Sequence, residues 1–354
     1  MSNSFIPTSS IWATQVAGTS DENLLPIARA LTRLATSHRD RGAVLDSLSL
    51  YQLAVAGLER APATSEAHVE AAATAWVNQG IAWTLLETEP ALRAGLLCFE
   101  EGIRLRESRL DRSDPWSAYN LAGAWIQRGD VLRRLPEGRG SDAILESYRA
   151  ASDLIRDQVD HPDRRFARRL ALARVHLADT LAQAGRLAQA ARAASQSLDA
   201  ARAAESCAGS ELALVAAKAH LLLALHGPEE ARIESAEAGL ALLADRAQEE
   251  RAARLRTLLF RVAANGYARH HPHFLAEFID EQLALTRDPG TRAALRPWAA
   301  HALRSAIAGL TSSALGQVGR GGMERTLATL RSLRERAATL LDPAASPGKL
   351  LPSP

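Results

Sequence analysis

Residues 76–83 read WVNQGIAW, residues 118–125 read AYNLAGAW, and residues 174–181 read RVHLADTL. In each stretch a small residue is followed, three positions later, by a large apolar one. The pairs are Gly80 with Trp83, Ala122 with Trp125, and Ala178 with Leu181. Three positions are close to one turn of α-helix, and a small side chain lets another helix approach while a large one fills the space beside it. The stretches therefore predict repeated helices that pack in one manner.

A partner helix is predicted after each stretch, because small and large residues recur there at helical spacing. Gly95 and Phe99 stand four positions apart and are followed by Gly102. Comparable residues are Tyr148 and Ala151 within residues 144–154, Ala190 with Ala194, and Ala231 with Ser235 and Ala238. Pairs of helices joined by short turns are antiparallel neighbours, so the repeating element is a helix hairpin.

These patterns resemble the tetratricopeptide repeat, whose first helix carries a tryptophan, a leucine–glycine pair and an aromatic residue at set offsets. Trp76, Gly80 and Trp83 fit that pattern, with Gln79 in place of the leucine. The resemblance is specific over about residues 72–243. It implies an all-α fold, an antiparallel helix-hairpin solenoid with a right-handed superhelix, and it implies partner binding along the concave face that the first helices line.

The lengths of the repeats are uneven. Residues 170–203 fit one unit of the usual length, but the interval from Gly80 to Ala122 is 42 residues and that from Ala122 to Ala178 is 56. Part of the excess is an insertion at residues 133–140. A HEAT-like stack, which has longer units, is the structural alternative.

The rest of the chain is also predicted to be helical. Hydrophobic residues make up 47% and aromatic residues only 5%, with much alanine and leucine, which favour helices. Proline and glycine interrupt the helical periodicity at residues 88–90, 114–115, 136–138, 161–163, 185, 227–228, 271–272 and 288–290. We expect about fourteen helices of roughly 16 to 24 residues in a single domain over residues 21–342, with Pro297 kinking or splitting its helix. Residues 1–20 are expected to form a flexible N-terminus and residues 343–354 a disordered tail.

The charge of the chain is nearly balanced, at +2 from 42 basic and 40 acidic residues. Only Lys218 and Lys349 are lysine, so forty of the basic residues are arginine. Arginine suits phosphate recognition, and the stretches at residues 164–165, 168–169 and 251–261 make a nucleic-acid or phospholigand binder one alternative. Acidic residues are interleaved throughout, however, and no long basic block exists, so a nucleic-acid partner is not favoured.

Motifs for catalysis and metal binding are not recognisable. Cys98 and Cys207 fit no metal spacing and are interpreted as small buried apolar residues. The histidines at 270, 271 and 273 diverge around Pro272, so we predict no metal site there. We therefore predict no enzyme activity and no cofactor. Without a signal peptide or an apolar span of about 18 residues, we expect a cytoplasmic, bacterial-type protein with no membrane contact.

Polar residues occupy one column when the repeats are aligned: Asn78, Asn120, His176 and His220. In some tetratricopeptide proteins, asparagines in this column grip the backbone of a peptide, because an amide donates and accepts at once. The resemblance therefore implies a ligand-binding groove at these four residues. The family's carboxylate clamp, built from lysines and asparagines, is not matched, because Lys218 is the only lysine in the repeats. The partner is therefore expected to bind through an internal segment. The alternative is that these side chains satisfy neighbouring helices.

Five aromatic residues in the first half also have two interpretations, as interhelical core or as a ligand-stacking surface: Trp76, Trp83, Trp116, Tyr119 and Trp125. We interpret them as core. The function predicted from all these features is a protein-interaction module, an adaptor, scaffold or regulator that binds a peptide or protein segment. An intracellular peptide receptor is a further alternative.

Overall fold

The computed structural model describes residues 21–60, 65–109, 111, 114–138, 141–204, 210–246, 249–286, 288–316 and 320–341. Within these ranges the chain forms fourteen α-helices and no strand, which confirms the predicted all-α class. The helices are α1 (Asp21–Asp40), α2 (Val44–Arg60), α3 (Glu66–Thr84), α4 (Glu89–Glu107), α5 (Pro115–Arg134), α6 (Asp142–Ile155), α7 (Arg165–Gln183), α8 (Leu187–Ala203), α9 (Ser210–His226), α10 (Arg232–Leu242), α11 (Glu250–His270), α12 (Leu275–Leu285), α13 (Pro289–Gly316) and α14 (Arg320–Leu341).

The predicted turns separate these helices. Asp114 caps α5, because its carboxylate accepts hydrogen bonds from the backbone N–H groups of Trp116 and Ser117 at 3.0 Å each, and Pro115 needs no such partner. Gly185 follows α7 with a φ of 73°, a value that favours glycine. Pro297 does not split α13, contrary to one of the two predicted outcomes. The buried side chains of Leu295 and Ala299 on either side hold the helix in the core.

The described residues group into two compact units that divide between Ala184 and Gly185. The first unit contains α1–α7 and the second contains α8–α14. The single domain over residues 21–342 stays a prediction, and the compact repeat predicted at residues 170–203 includes this division. The flexible N-terminus, the disordered tail and Cys207 lie outside the described residues.

Helix hairpins build the first unit. Helix α1 packs against α2, α3 against α4, and α5 against α6. The predicted small residues lie at these contacts: a Cβ atom on Gly80 would be 2.8 Å from the ring of Phe99, and one on Gly95 would be 3.2 Å from the carbonyl oxygen of Gly80. Tyr148 of α6 packs over Gly129 of α5 in the same way. Ala122 has no exposed surface.

The first helices of successive hairpins lie side by side and run in the same direction. Arg29 contacts Ala67 and Arg39 contacts Asn78, so α1 and α3 are offset by 38–39 residues. Contacts of Glu70 with Asn120 and of Thr84 with Arg134 give an offset of 50 between α3 and α5. Helices α5 and α7 are likewise parallel, because Tyr119 contacts Arg169 near their starts and Arg133 contacts Asp179 near their ends.

Neighbouring helices also pack against one another in the second unit. Helix α9 packs against α8, α10 and α11, and α11 packs against α13. The guanidinium of Arg256 in α11 is buried and donates to the carbonyl oxygens of Leu243 and Gln282 at 3.4 and 3.5 Å. These carbonyls lie at the C-terminal ends of α10 and α12, where a positive charge is favourable. Among the described helices, none is both long and apolar enough to cross a membrane.

Candidate binding surface on the first helices

Asn78 lies half-buried on α3, beside the preceding first helix. Its Oδ1 atom accepts a hydrogen bond from Nη1 of Arg39 on α1, at the long distance of 3.5 Å. The Asn78 side chain therefore has one partner on a neighbouring helix. Because this hydrogen bond is long and hence weak, a ligand can replace it.

Asn120 on α5 belongs to a polar cluster that joins three helices. Its Nδ2 atom donates to Glu70 of α3 at 3.5 Å, and its carbonyl oxygen accepts from Arg106 of α4 at 2.9 Å. Arg106 has only 8% of its side chain exposed and also donates to Glu70 and Thr74, at 3.1 Å each. The ion pair between Arg106 and Glu70 joins the two helices of one hairpin. The contacts of Asn120 with both residues tie that hairpin to the next.

His176 on α7 lies beside another interhelical cluster. Its Nδ1 atom is 2.9 Å from the Asp130 carboxylate of α5, to which Tyr148 of α6 donates a hydrogen bond at 2.6 Å. Burial opposes ionisation of Asp130, but hydrogen bonding and charge from His176, with the Tyr148 bond, hold its pKa below the usual value. The pKa of Tyr148 is raised by burial and by the nearby Asp130 charge.

His220 lies on α9 in the second unit. Its Nδ1 atom is buried and has no hydrogen-bond partner among the described residues. Burial lowers the pKa of this imidazole, and the positive charge of Arg202 adds to the effect, so the neutral form is favoured. Gly239 of α10 leaves room for the side chain, because a Cβ there would be 3.1 Å from the Cβ of His220.

The three predicted residues of the first unit do not form a straight row. Asn120 is level with Glu70, which lies eight residues, or about 12 Å, along α3 from Asn78. His176 is level with Asp130, ten residues or about 15 Å along α5 from Asn120. Each has a contact on a neighbouring first helix, as the alternative interpretation expects. Their role in ligand binding stays a prediction.

Three of the five aromatic residues pack against core clusters, as predicted: Trp76, Trp83 and Trp125. Trp116, at the start of α5, is different, because 36% of it is exposed. The guanidinium of Arg165 lies 4.6 Å from its ring, and that of Arg169 lies 3.5 Å from the ring of Tyr119. Both contacts are within the range of cation–π attraction.

Arginines that suggested a nucleic-acid site are largely engaged in internal contacts. Arg165 forms an ion pair with Asp163, and Arg169 donates to the Tyr119 carbonyl oxygen at 2.6 Å. Burial lowers the pKa of Arg169, with further repulsion from Arg106. Arg254 pairs with Glu250 one helical turn away. These stretches therefore present less free positive charge than their sequence suggests.

The second unit has a cleft of about 400 Å³ between α11 and α13. Four of its lining residues are polar: Asn265, Arg269, His301 and Ser305. Their side chains make no hydrogen bond or ion pair with the described part of the chain, unlike those of Asn120 and His176 in the first unit. The cleft therefore offers hydrogen-bonding groups that a ligand can use.

Metal binding has no support among the described residues, where no group of three or more His, Cys, Asp and Glu side chains is placed to hold an ion. His270 lies 3.2 Å from Glu229. Cys98 is buried, as predicted, and burial raises the pKa of its thiol to about 12.

Comparison with known proteins gives weak structural likeness only. The nuclear import adaptor Nro1 of S. pombe is 12% identical, with a TM-score of 0.36, over 88% of this chain and 99% of that chain. A second structure, described as the hypoxic regulator of sterol synthesis Nro1 and a nuclear import adaptor, is 10% identical, with a TM-score of 0.36, over 92% of this chain and 98% of that chain. No protein-family model and no curated protein matches the sequence. A TM-score this low supports no assignment of family or function.

Sequence reasoning missed the cleft in the second unit, although a signal for it was present. Ala264 and Tyr267 form the same pair of a small residue and a large one three positions later that marks α3 and α5. Tyr267 packs against Phe278, with ring centres 4.9 Å apart. Extending the alignment through this pair would have identified α11 as a first helix, although the polar column would then fall on Val262 rather than on Asn265.

Proposed function

We propose that this chain is a non-catalytic helical-repeat protein of the tetratricopeptide type that binds an extended segment of a protein partner on the face of its first helices. The observation that carries the proposal is the parallel, side-by-side arrangement of the first helices within each unit. Such helices form a continuous preformed surface, which suits a peptide better than a small molecule. An adaptor, scaffold or regulator in the cytoplasm would use a surface of this kind.

The side chains on that surface support a peptide as the ligand. Asparagine amides at positions 78, 120 and 265 can donate to a peptide carbonyl and accept from a peptide N–H group. The long contacts of Asn78 and Asn120, at 3.5 Å each, cost little to exchange for a ligand. An internal segment is the expected occupant, because Lys218 is the only lysine between residues 1 and 348 to anchor a terminal carboxylate.

The perturbed ionisable groups support a structural rather than a catalytic role. The pKa shifts of Asp130 and Tyr148 arise where α5 and α6 hydrogen-bond to each other. Perturbed groups often mark active sites, but interhelical networks perturb pKa values as well. Here burial and this network together account for both shifts.

Site-specific photo-crosslinking in the native host tests the proposal. A photoreactive phenylalanine replaces Trp116 or His301 on the first helices α5 and α13, and matched controls replace Leu97 or Glu277 on the second helices α4 and α12. All four side chains are exposed. We expect a discrete protein adduct from the first-helix positions and little from the controls. Adducts formed mainly from Leu97 and Glu277 would place binding on the opposite face.

A further inference from the structure

The cleft in the second unit lies between two parallel helices in a regular register. Arg261 of α11 stacks on Trp298 of α13, with the guanidinium 4.2 Å from the ring centre. Further along, Asn265 and Arg269 of α11, Pro272 just beyond its C-terminal end, and His301 and Ser305 of α13 line the cleft of about 400 Å³. The Arg261–Trp298 contact gives an offset of 37 residues between the two faces.

The charge of this cleft is unbalanced. Arg269 is exposed, and no carboxylate lines this cleft. Glu229 lines an adjoining cleft that shares Asn265 and Arg269, and it lies 3.2 Å from His270. The side chains of Arg269 and Asn265 form no ion pair or hydrogen bond with the described residues. Elsewhere, by contrast, Arg106 and Arg165 are matched by the carboxylates of Glu70 and Asp163. The groove between α11 and α13 is therefore positive and rich in free donors.

A second free cation lies along the same face. Arg261 is exposed, has its guanidinium held against the Trp298 ring, and pairs with no carboxylate among the described residues. It precedes Arg269 by eight residues, which corresponds to about 12 Å along an α-helix. Asn265 lies midway between the two arginines. Stacking on an aromatic ring orients a guanidinium while leaving its N–H groups available.

We propose that Arg261 and Arg269 bind two acidic side chains of an extended peptide segment, while Asn265 hydrogen-bonds the peptide backbone between them. An extended chain advances about 3.3 Å per residue, so about 12 Å corresponds to three or four residues. The preferred segment carries Asp or Glu at positions i and i+3 or i+4. This inference rests on the proposed function and specifies the chemistry of the partner.

Selection from a phage library of random dodecapeptides tests the inference, with the full chain as the immobilised target. We expect enrichment of peptides with two acidic residues three or four positions apart. A fluorescent synthetic copy of an enriched peptide is then titrated against wild type, Arg261→Glu/Arg269→Glu and Arg334→Glu. Arg334 is an exposed arginine on α14, so its substitution controls for charge reversal away from the cleft.

Charge reversal in the cleft is expected to weaken binding about a hundredfold, whereas Arg334→Glu changes it by less than about twofold. Circular dichroism confirms that each variant keeps its helix content. Enriched peptides without acidic residues, or equal binding by all variants, would overturn the inference and leave the proposed function standing. No enrichment of any peptide would count against both. Equally tight binding of duplex DNA that is lost in the double variant would assign the arginines to phosphate instead.

Discussion

Residue size at a few positions determines how closely the helices approach. Gly80 accommodates the ring of Phe99, and Gly129 accommodates Tyr148. The close approach at Gly80 could be predicted because side-chain volume is a property of the residue itself. The Arg106–Glu70 ion pair could not be predicted, because it depends on which levels of α3 and α4 meet. Gly123 has a similar role that the sequence did not reveal: a Cβ there would lie 2.8 Å from Nη1 of Arg169.

Replacing Ala122 by leucine tests the packing at this scale. Ala122 is fully buried in α5, so added methylenes must displace neighbours and are expected to cost about 1–3 kcal/mol. The measurement is the urea unfolding midpoint. Ala56→Leu, at an exposed position of α2, is the control and should leave the midpoint nearly unchanged. Equal midpoints for the two variants would show that the assigned contact is wrong.

At the scale of helices, turns could be predicted but register could not. Asp114-Pro115 marks the start of α5 because the cap and the proline act locally. The offset between α3 and α5 is 50 residues in the structure, whereas the motif alignment relates Gly80 to Ala122 by 42. The offset depends on where whole helices come to rest against one another. This is why the asparagines at 78 and 120 share a sequence column but lie at different levels.

Removal of the α5 cap tests the contribution of local signals. Asp114→Ala loses two hydrogen bonds from the helix N-terminus and is expected to lower stability by about 1 kcal/mol. Thr88 occupies the equivalent position before α4 but makes no side-chain cap hydrogen bond. Thr88→Ala should therefore cost less in the same urea titration. A larger loss for Thr88→Ala than for Asp114→Ala would contradict this account of the caps.

The Asp130 cluster, which joins α5, α6 and α7, predicts a pH dependence. The folded pKa of Asp130 lies below its usual value of 3.8, so the folded state binds this proton less readily than the unfolded state. Its contribution to stability is complete above the unfolded pKa and is lost as pH falls through the folded pKa. Asp130→Asn should therefore lose less stability than wild type between about pH 4 and pH 2.

Urea midpoints measured from pH 6 to pH 2 provide this comparison. Asp142→Asn, at an exposed position of α6, serves as the control and should follow wild type. Identical acid profiles for wild type and Asp130→Asn would show that the cluster does not stabilise the folded state.

For the whole molecule, composition predicted the helical class, and net charge gave little guidance to function. The chain carries 42 basic residues, but contacts such as Arg106–Glu70 and Arg165–Asp163 satisfy many of them internally. We expect only weak retention on duplex DNA at physiological salt, falling further as salt rises because counterion release opposes binding. A DNA-column elution series measures this. Tight retention that depends on DNA sequence would require a different function.

Hydrogen exchange measured by mass spectrometry, with and without the partner recovered by crosslinking, tests the central claim most directly. If the first helices form the binding face, amides in α3, α5, α11 and α13 should exchange more slowly when the partner is bound. Exchange in α4, α6, α10 and α12 should change little. Protection confined to those second helices would contradict the claim.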